Sequence, residues 1–306
     1  MENLRIIIPA LMVIGLCVTW QFFKSSQEVI SPPFNTNEQR IYDETQQLVR
    51  LHSGMGWTRS GDWLASHPER GQSFNKYRNI DHIGLTEQRN VLYVQPIGDF
   101  DELQQKIVEL SAEFLSLYFM CEVKIKEPIG MDSIPQKARR VHPSWGVRQI
   151  HTEYILDMLA PQTPEDAFAT IAFTTSDLYP DENWNYVFGI AALKQRVGVW
   201  SLYRNGDPRT EFKTVLNRTL KLATHETGHM FTIQHCIAYN CNMCGRNNMG
   251  ESDRRPIYMC PECLAKILLA TGCDAKERFE GLKSFCERNQ LDETAEFYES
   301  CLNILD

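Results

Sequence analysis

The sequence predicts an α/β fold in which strands and helices alternate along one sizeable domain. Runs rich in β-forming residues lie between segments whose apolar residues recur at helical spacing, an order typical of α/β proteins. The chain has 306 residues, of which 43% are hydrophobic and 23% charged, enough for one buried core with extensions. Neither an internal repeat nor a low-complexity tract is present, so the sequence does not favour a repeat architecture or a disordered chain.

The expected elements follow from the local pattern of apolar residues. Residues 37–52 are polar with helical spacing and predict a short helix, whereas residues 53–90, rich in Gly, Ser, His and Asn, predict irregular structure. The elements expected next are, in order, strand 90–96, helix 99–118, strand 121–125, helix 149–159, and strands 167–174, 186–193 and 196–203. The last two strands are joined tightly and predict a hairpin. We expect residues 186–192 to form an edge strand that an extended peptide could join through main-chain hydrogen bonds, with ordinary sheet core as the alternative.

Residues 225–235, HETGHMFTIQH, contain histidines and a glutamate in metal-ligand spacing. Apolar residues at helical spacing over 214–222 lead into this segment, so we expect it to begin on a helix. His225 and His229 are four residues apart and lie on one helical face, where both imidazoles can reach one metal ion. Glu226 follows the first ligand and can deprotonate a zinc-bound water at the open coordination position.

A third histidine, His235, strengthens the prediction of a metal site. It lies six residues beyond His229, too far to be a ligand on a straight helix, so the chain must turn after about Phe231. An isolated HExxH motif occurs by chance in many unrelated chains. A correctly spaced third histidine makes chance a poor explanation here.

Four cysteines follow in two closely spaced pairs, Cys236 with Cys241 and Cys260 with Cys263. This spacing suits a tetrahedral zinc held by four thiolates, with two disulfides or buried free thiols as the alternative. Four thiolates leave no coordination position for water, so this zinc would be structural. Because Cys236 directly follows His235, the two metals would lie close together, and folding of one site should assist the other.

These motifs resemble those of the archaemetzincins (the archaelysin family), zinc peptidases of the metzincin clan. The matching residues are HExxHxxxxxHC at 225–236, then Cys241, Met243, Gly245, Asn247, Glu251, Asp253 and Pro256, and Cys260-Pro-x-Cys263 followed by Leu264 and Lys266. Met243 matches the methionine of the Met-turn that lies beneath the metal in metzincins. Weaker upstream similarity extends the resemblance over roughly residues 60–270.

The resemblance implies a compact zincin-like (metzincin) domain with a mixed sheet, an active-site helix and a four-cysteine zinc loop. It also implies zinc metallopeptidase activity, including aminopeptidase action on small substrates. Two positions depart from the family pattern: Thr232 replaces the glycine of the turn, and Arg246 stands where a small residue is usual. A β-branched residue disfavours positive φ, so we expect this turn to use another geometry or to carry strain.

We therefore expect two zinc ions per chain and hydrolysis of peptide bonds in peptide or protein substrates. His225, His229 and His235 would hold the catalytic zinc, and Glu226 would be the general base for a water bound to it. The alternative, motivated by Thr232, is a catalytically weak scaffold in which both metals are structural; the presence of Glu226 speaks against it. A net charge of −8 argues against nucleic-acid binding, and no obligate protein partner is indicated.

The chain is expected to divide into a membrane anchor or signal segment (1–24), a linker and N-terminal extension (25–89), the zincin-like catalytic domain (90–270) and a helical C-terminal tail (271–306). Residues 6–23 carry no charge over 18 positions, near the lower limit for a membrane span, and no clear cleavage signal follows. We expect this segment to anchor the protein in a membrane, on a side that the flanking charges do not indicate. A removed signal peptide or a buried helix is the alternative. The three cysteines of the tail leave open either one bridge or free thiols.

Overall fold

A five-stranded mixed sheet with helices on both faces forms the centre of the structure, a computed structural model that describes residues 32–306. The described residues form eight strands in two sheets: β1 (Val91–Ile97), β2 (Glu122–Ile125), β3 (Arg139–Val141), β4 (Arg148–His151), β5 (Ala167–Thr174), β6 (Asp177–Tyr179), β7 (Gly189–Ala192) and β8 (Val197–Ser201). The helices are α1 (Thr36–Gln46), α2 (Trp63–Ser66), α3 (Phe74–Arg78), α4 (Glu102–Phe119), α5 (Thr152–Leu159), α6 (Pro208–Met230), α7 (Met249–Asp253), α8 (Pro261–Thr271), α9 (Ala275–Arg288) and α10 (Asp292–Leu305).

The main sheet has the strand order β2-β1-β5-β8-β7. The first four strands run parallel, and β7 pairs antiparallel with β8, so β7 forms one edge of the sheet. Every residue of β5 is buried, as expected for a central parallel strand that is covered on both faces. A smaller sheet, β3-β4-β6, lies beside the main one.

Helices α4 and α6 cover one face of the main sheet, and α5 packs on the other. The ring of Phe231, directly after α6, stacks on Phe119 of α4 and Phe168 of β5, with centroid separations of 5.0 and 4.2 Å. These aromatic contacts fix the C-terminal end of α6 against the core. They therefore fix the point at which the histidine-bearing segment turns away from the helix.

The C-terminal helices α9 and α10 pack against each other, and α9 packs against α4. The Phe285 ring lies 5.0 Å from that of Phe114. Arg278 is 1% exposed; its Nε donates to the carbonyl of Tyr118 at 2.7 Å, and its guanidinium lies 4.4 Å from the centre of the Tyr118 ring. The tail thus shares the principal core of the molecule.

The N-terminal extension packs across the half of the molecule that carries the histidines and cysteines. The Tyr77 hydroxyl donates to the carbonyl of Phe231 at 2.7 Å, and the Leu85 amide donates to the carbonyl of Ala270 at 2.8 Å. The Trp63 amide, at the start of α2, donates to a carboxylate oxygen of Glu251 at 2.9 Å. The extension is therefore tied to the metal-binding half by specific hydrogen bonds.

Most of the predicted elements are confirmed, including the antiparallel β7–β8 hairpin and helix α4. The helix predicted over 149–159 is wrong in its first three residues, because Gln149 begins the part of β4 that pairs with β6. The Gln149 amide donates to the carboxylate of Asp177 at 2.8 Å, a contact between distant residues that periodicity cannot reveal. The irregular structure predicted for 53–90 is interrupted by the short helices α2 and α3.

Two expectations concern the ends of the chain. The segment expected to anchor the protein, residues 6–23, lies outside the described residues. Within residues 32–306, no helix is both long and apolar enough to cross a bilayer. The bridge considered for the tail is absent, because Cys273, Cys286 and Cys301 are free thiols.

Candidate metal centres and the adjoining cleft

Helix α6 carries the first two histidines into the interior. Asp207 caps its N-terminus by accepting from the Arg209 amide, and Pro208 occupies the first turn, where its missing N–H is not needed. His225 and His229 lie one turn apart near the other end, so their rings meet and the two Nε2 atoms are 3.1 Å apart. The sequence spacing alone predicts this contact.

The turn after α6 returns the third histidine to the first two. The helix ends at Met230, and Thr232 takes φ of 62°, the left-handed conformation that usually favours glycine. Of the two expected outcomes for this turn, a different geometry is therefore wrong, and backbone strain at Thr232 is the one that the structure shows. The Thr232 hydroxyl donates to the carbonyl of Phe231 at 2.6 Å and accepts from the Ile83 amide at 3.2 Å. These contacts offset part of a conformational cost of roughly 1–2 kcal/mol.

Each of the three rings is held through its Nδ1 atom. His225 Nδ1 lies 2.8 Å from the carbonyl of Asn242, and His229 Nδ1 lies 2.6 Å from that of Ile233. His235 Nδ1 lies 2.7 Å from Oε1 of Glu69. Because these oxygen atoms accept, each Nδ1 carries a proton, and in the neutral ring Nε2 then keeps its lone pair for a metal ion.

The three Nε2 atoms form a site that fits a cation. His235 Nε2 is buried without a partner, and one ligand atom from each histidine lies within 4.8 Å of the others. Two lone pairs that face each other at 3.1 Å repel unless a cation lies between them, and tetrahedral Zn–N bonds of about 2.0–2.1 Å require a similar separation. Burial lowers the pKa of His229 to about 3 and that of His225 well below its ordinary value, which keeps both rings neutral, as ligands must be.

Glu69 is a residue of this site that the sequence did not predict. It comes from the N-terminal extension, 166 positions before His235, and its Oε1 also accepts from Nε1 of Trp63 at 2.8 Å. The Trp63 ring in turn lies 5.4 Å from the His235 ring, edge to face. No local motif marks Glu69, because its role depends on how the extension packs.

The four cysteines form a second site. The sulfur atoms of Cys236, Cys241, Cys260 and Cys263 lie within 4.8 Å of one another and are buried. Cys236 Sγ and Cys260 Sγ are 3.7 Å apart, far beyond a disulfide bond of about 2.05 Å and close to the edge of a tetrahedron with Zn–S bonds of about 2.3 Å. Hydrogen bonds from the neighbouring thiols lower the pKa of Cys236, whereas burial raises that of Cys241 and Cys260.

The loop between the cysteines connects the two sites. The carbonyl of Asn242, which accepts from His225, lies between Cys241 and Met243. The amide of Cys236 donates to the carbonyl of Met243 at 2.8 Å. Met243 is fully buried against α6, and a Cβ added at Gly228 would lie 2.7 Å from its sulfur atom. The glycine within the HExxH segment therefore makes room for this methionine.

The acidic residues of the same loop brace it against its surroundings. Glu251 is buried, accepts from the Asn247 amide at 2.8 Å and pairs with Arg255 at 3.1 Å. Asp253 accepts from Nε and Nη2 of Arg218 on α6 at 2.9 and 2.7 Å. The contacts of Glu251 and Asp253 therefore exceed ordinary loop solvation.

A cleft of about 190 Å³ opens beside the histidines and contains Glu226. Glu226 is 7% exposed, and burial raises the pKa of its carboxyl group to about 7. Edge strand β7 borders the cleft through Gly189 and Ile190. The other lining residues are Pro180, Trp184, Val187, Phe188, Asn205, Arg218, Leu222, His225, Arg246, Asn248, Met249 and Ser252.

The chain is similar to proteins of one peptidase family. The family model for peptidase family M54 matches residues 99–268. Archaemetzincin-2 of Rattus norvegicus is 31% identical over 301 residues, covering 85% of this chain and 82% of that protein. Archaemetzincin-2 of Homo sapiens is 31% identical, covering 84% of this chain and 81% of its own. A solved archaemetzincin from Methanopyrus kandleri is 28% identical over 60% of this chain and 96% of its own, with a TM-score of 0.49. On the family model and the two archaemetzincin-2 relatives, the chain belongs to peptidase family M54, the archaemetzincins, which are zinc metallopeptidases.

Proposed function

We propose that this metallopeptidase cleaves peptide bonds with Glu226 as its general base, and that it holds two zinc ions with different roles. His225, His229 and His235 would bind the catalytic ion through Nε2. Cys236, Cys241, Cys260 and Cys263 would bind the structural one. The observation that carries the proposal is the convergence of the three histidine rings, one of which, His225, lines the same cleft as the buried Glu226.

The residues of the chain divide the chemistry as follows. When bound, the catalytic zinc would polarise the scissile carbonyl and acidify the attacking water. Glu226 would take a proton from that water and later return it to the leaving amine, a double task that suits a carboxyl group whose pKa is raised to about 7. The apolar cleft would exclude bulk water from the reaction.

Strand β7 would position the substrate. It pairs with β8 on one side, and its other side is an edge of the main sheet that borders the cleft. An extended peptide could add to this edge by main-chain hydrogen bonds, which would bring its backbone past Glu226. This role requires no particular peptide sequence.

The charge of the cleft bears on the expected aminopeptidase action. Among the described residues that line it, Glu226 is the only acid. The free α-ammonium group of a bound peptide would therefore pair with Glu226, the same carboxylate that must accept the proton of the attacking water. We accordingly propose that cleavage does not require a free N-terminus, tested by comparing N-acetylated with free peptides, which should be cleaved at similar rates.

The decisive experiment measures zinc content and peptide hydrolysis together. Zinc-loaded wild-type protein should hold two zinc ions and cleave members of a peptide library, and chelation should stop the cleavage reversibly. Glu226→Gln should keep both ions but lose at least about 100-fold in rate, because the amide cannot accept the proton. Glu87→Gln, on the exposed surface, is the matched control. A Glu226→Gln protein as active as wild type would overturn the role of Glu226 as the general base. An inactive zinc-loaded wild type would overturn the whole proposal and leave the scaffold alternative.

A further inference from the structure

Arg246 brings an unpaired positive charge into the wall of the cleft that contains Glu226. Its Nη2 donates to the backbone carbonyl and to the side-chain oxygen of Asn242, which anchors the guanidinium from one side. Its Nε is buried without a hydrogen-bond partner among the described residues. Neither Glu226 nor any other acid of residues 32–306 forms an ion pair with it.

Two neighbouring arginines, unlike Arg246, form ion pairs with acidic residues. Arg218, which lines the same cleft, forms two hydrogen bonds to Asp253, and Arg255 pairs with Glu251 at 3.1 Å. A guanidinium withdrawn from water without a counter-ion costs free energy. An anion that reached Nη1, the end of the guanidinium that is neither bonded to Asn242 nor counted among the buried unpaired atoms, would offset part of this cost.

The rest of the cleft favours an anion attached to an apolar stem. Its walls include Val187, Ile190, Leu222 and Met249, and its volume of about 190 Å³ is more than ten times what one water molecule needs. Apolar walls lower the local dielectric constant and so strengthen a hydrogen bond between a guanidinium and a carboxylate. The planar guanidinium fixes the direction of its N–H donors, so Nη1 can direct a charge-assisted hydrogen bond at a carboxylate oxygen.

The charge also lies close to the proposed reaction centre. The carbonyl of Asn242 accepts both from Arg246 and from Nδ1 of His225, so one oxygen atom separates the guanidinium from a proposed zinc ligand. Glu226 lines the same cleft. A substrate group that reaches Arg246 therefore belongs to a residue next to the bond that is cleaved.

We propose that the cleft selects peptides that place a carboxylate beside the scissile bond, with Arg246 as the specificity-determining residue. The carboxylate is either an Asp or Glu side chain or the free C-terminus of a peptide. This inference rests on the proposed function for the position of the scissile bond, but it is a statement about binding and can be tested without cleavage.

The test measures peptide binding to zinc-loaded Glu226→Gln protein by fluorescence anisotropy. One set of labelled peptides carries Glu or Gln at each position in turn, and a second set has a free or an amidated C-terminus. We expect one Glu peptide, or the free C-terminus, to bind about 10- to 100-fold more tightly than its neutral partner. Arg246→Met in the same background should reduce this preference to less than about 3-fold. Arg288→Met, which removes an exposed charge on α9, should leave it unchanged.

The outcomes separate the inference from the proposed function. Equal binding of charged and neutral peptides, or a preference that survives Arg246→Met, would overturn the inference even if wild type cleaves peptides. A carboxylate preference that requires Arg246 would stand even if wild type cleaves none. Zinc content and circular dichroism show whether Arg246→Met is folded. If it is not folded, Arg246→Lys takes its place, because it keeps the charge but loses the planar guanidinium. This variant should retain only part of the preference, and full retention would count against the inference.

Discussion

At the scale of single residues, the three histidines differ in what holds them. His225 and His229 donate to backbone carbonyls, whereas His235 donates to the Glu69 carboxylate at 2.7 Å. A carboxylate makes the imidazole a stronger ligand and fixes its orientation. We predict that Glu69→Ala lowers zinc affinity at the histidine site about 10- to 100-fold, and Glu69→Gln less, because the amide oxygen can still accept.

Competition with a zinc chelator measures this change, and the absorption spectrum of the cobalt-substituted protein reports the geometry of the site. Glu87→Ala, an exposed residue of the same extension, is the control and should bind zinc as wild type does. Unaltered affinity in Glu69→Ala would show that the packing of the extension, and not its carboxylate, positions His235.

At the scale of elements, the end of α6 shows how a threonine can occupy a turn that usually needs glycine. Thr232→Gly would relieve roughly 1 kcal/mol of backbone strain but would lose the hydroxyl contacts and make the unfolded chain more flexible. We therefore predict a change in the free energy of unfolding below about 1 kcal/mol. Thr232→Val keeps the strain and loses the hydroxyl, so it should destabilise by about 1 kcal/mol. Urea denaturation measures both, and a gain above about 2 kcal/mol in Thr232→Gly would contradict the proposed compensation.

The contact between α6 and α7 contains a buried lysine with a pH-dependent contribution to stability. Lys221 is 5% exposed, and its Nζ lies 3.4 Å from the carbonyl oxygen of Ser252 and 3.5 Å from that of Asp253. Burial, followed by repulsion from Arg246, lowers the pKa of Lys221 from 10.5 to about 8. Between these two values the unfolded chain binds the proton and the folded protein does not, so this residue makes stability rise with pH.

We predict that wild type gains stability relative to Lys221→Met as the pH rises from 8 to 10, by at most about 1.4 kcal/mol per pH unit. Below pH 8 the difference between the two proteins should be constant, because the ammonium is then charged in both states. Urea unfolding at several pH values measures the difference, and using the variant as reference cancels the other titrating groups. A difference that stays flat up to pH 10 would mean that Lys221 keeps its ordinary pKa.

The elements also show which features could be predicted from the sequence. The spacing of His225 and His229, and of each cysteine pair, depends on a few neighbouring residues, so local geometry suffices to predict that they meet. Strand β4 and Glu69 depend on partners far along the chain, and the local pattern of residues does not identify those partners. From the sequence, Thr232 could be recognised only as a departure from the family motif. Its left-handed conformation could not be predicted, because the supporting contact with Ile83 comes from the extension.

At the scale of the whole molecule, the contacts between the two proposed metal sites are unequal, so we expect each site to depend on the other to a different degree. The loop between Cys241 and Cys260 supplies the Asn242 carbonyl that orients His225, and it carries Met243 against α6. The cysteine site receives no comparable support from the histidine rings. Loss of the structural metal should therefore disturb the catalytic site, whereas loss of the catalytic metal should leave the cysteine site intact.

We predict that Cys263→Ser holds no zinc at either site and loses several kcal/mol of stability, since metal binding by buried thiolates contributes directly to folding. His235→Ala should keep one zinc per chain and a near-native circular dichroism spectrum. Cys273→Ser, a half-buried thiol outside both sites, is the matched control and should keep two. Elemental analysis of the purified variants measures their zinc content, and urea denaturation measures their stability.

One zinc in Cys263→Ser with unchanged stability would mean that the histidine site forms without its neighbour. The loop between the cysteines would then owe its position to Glu251, Arg255 and the extension instead of to a metal.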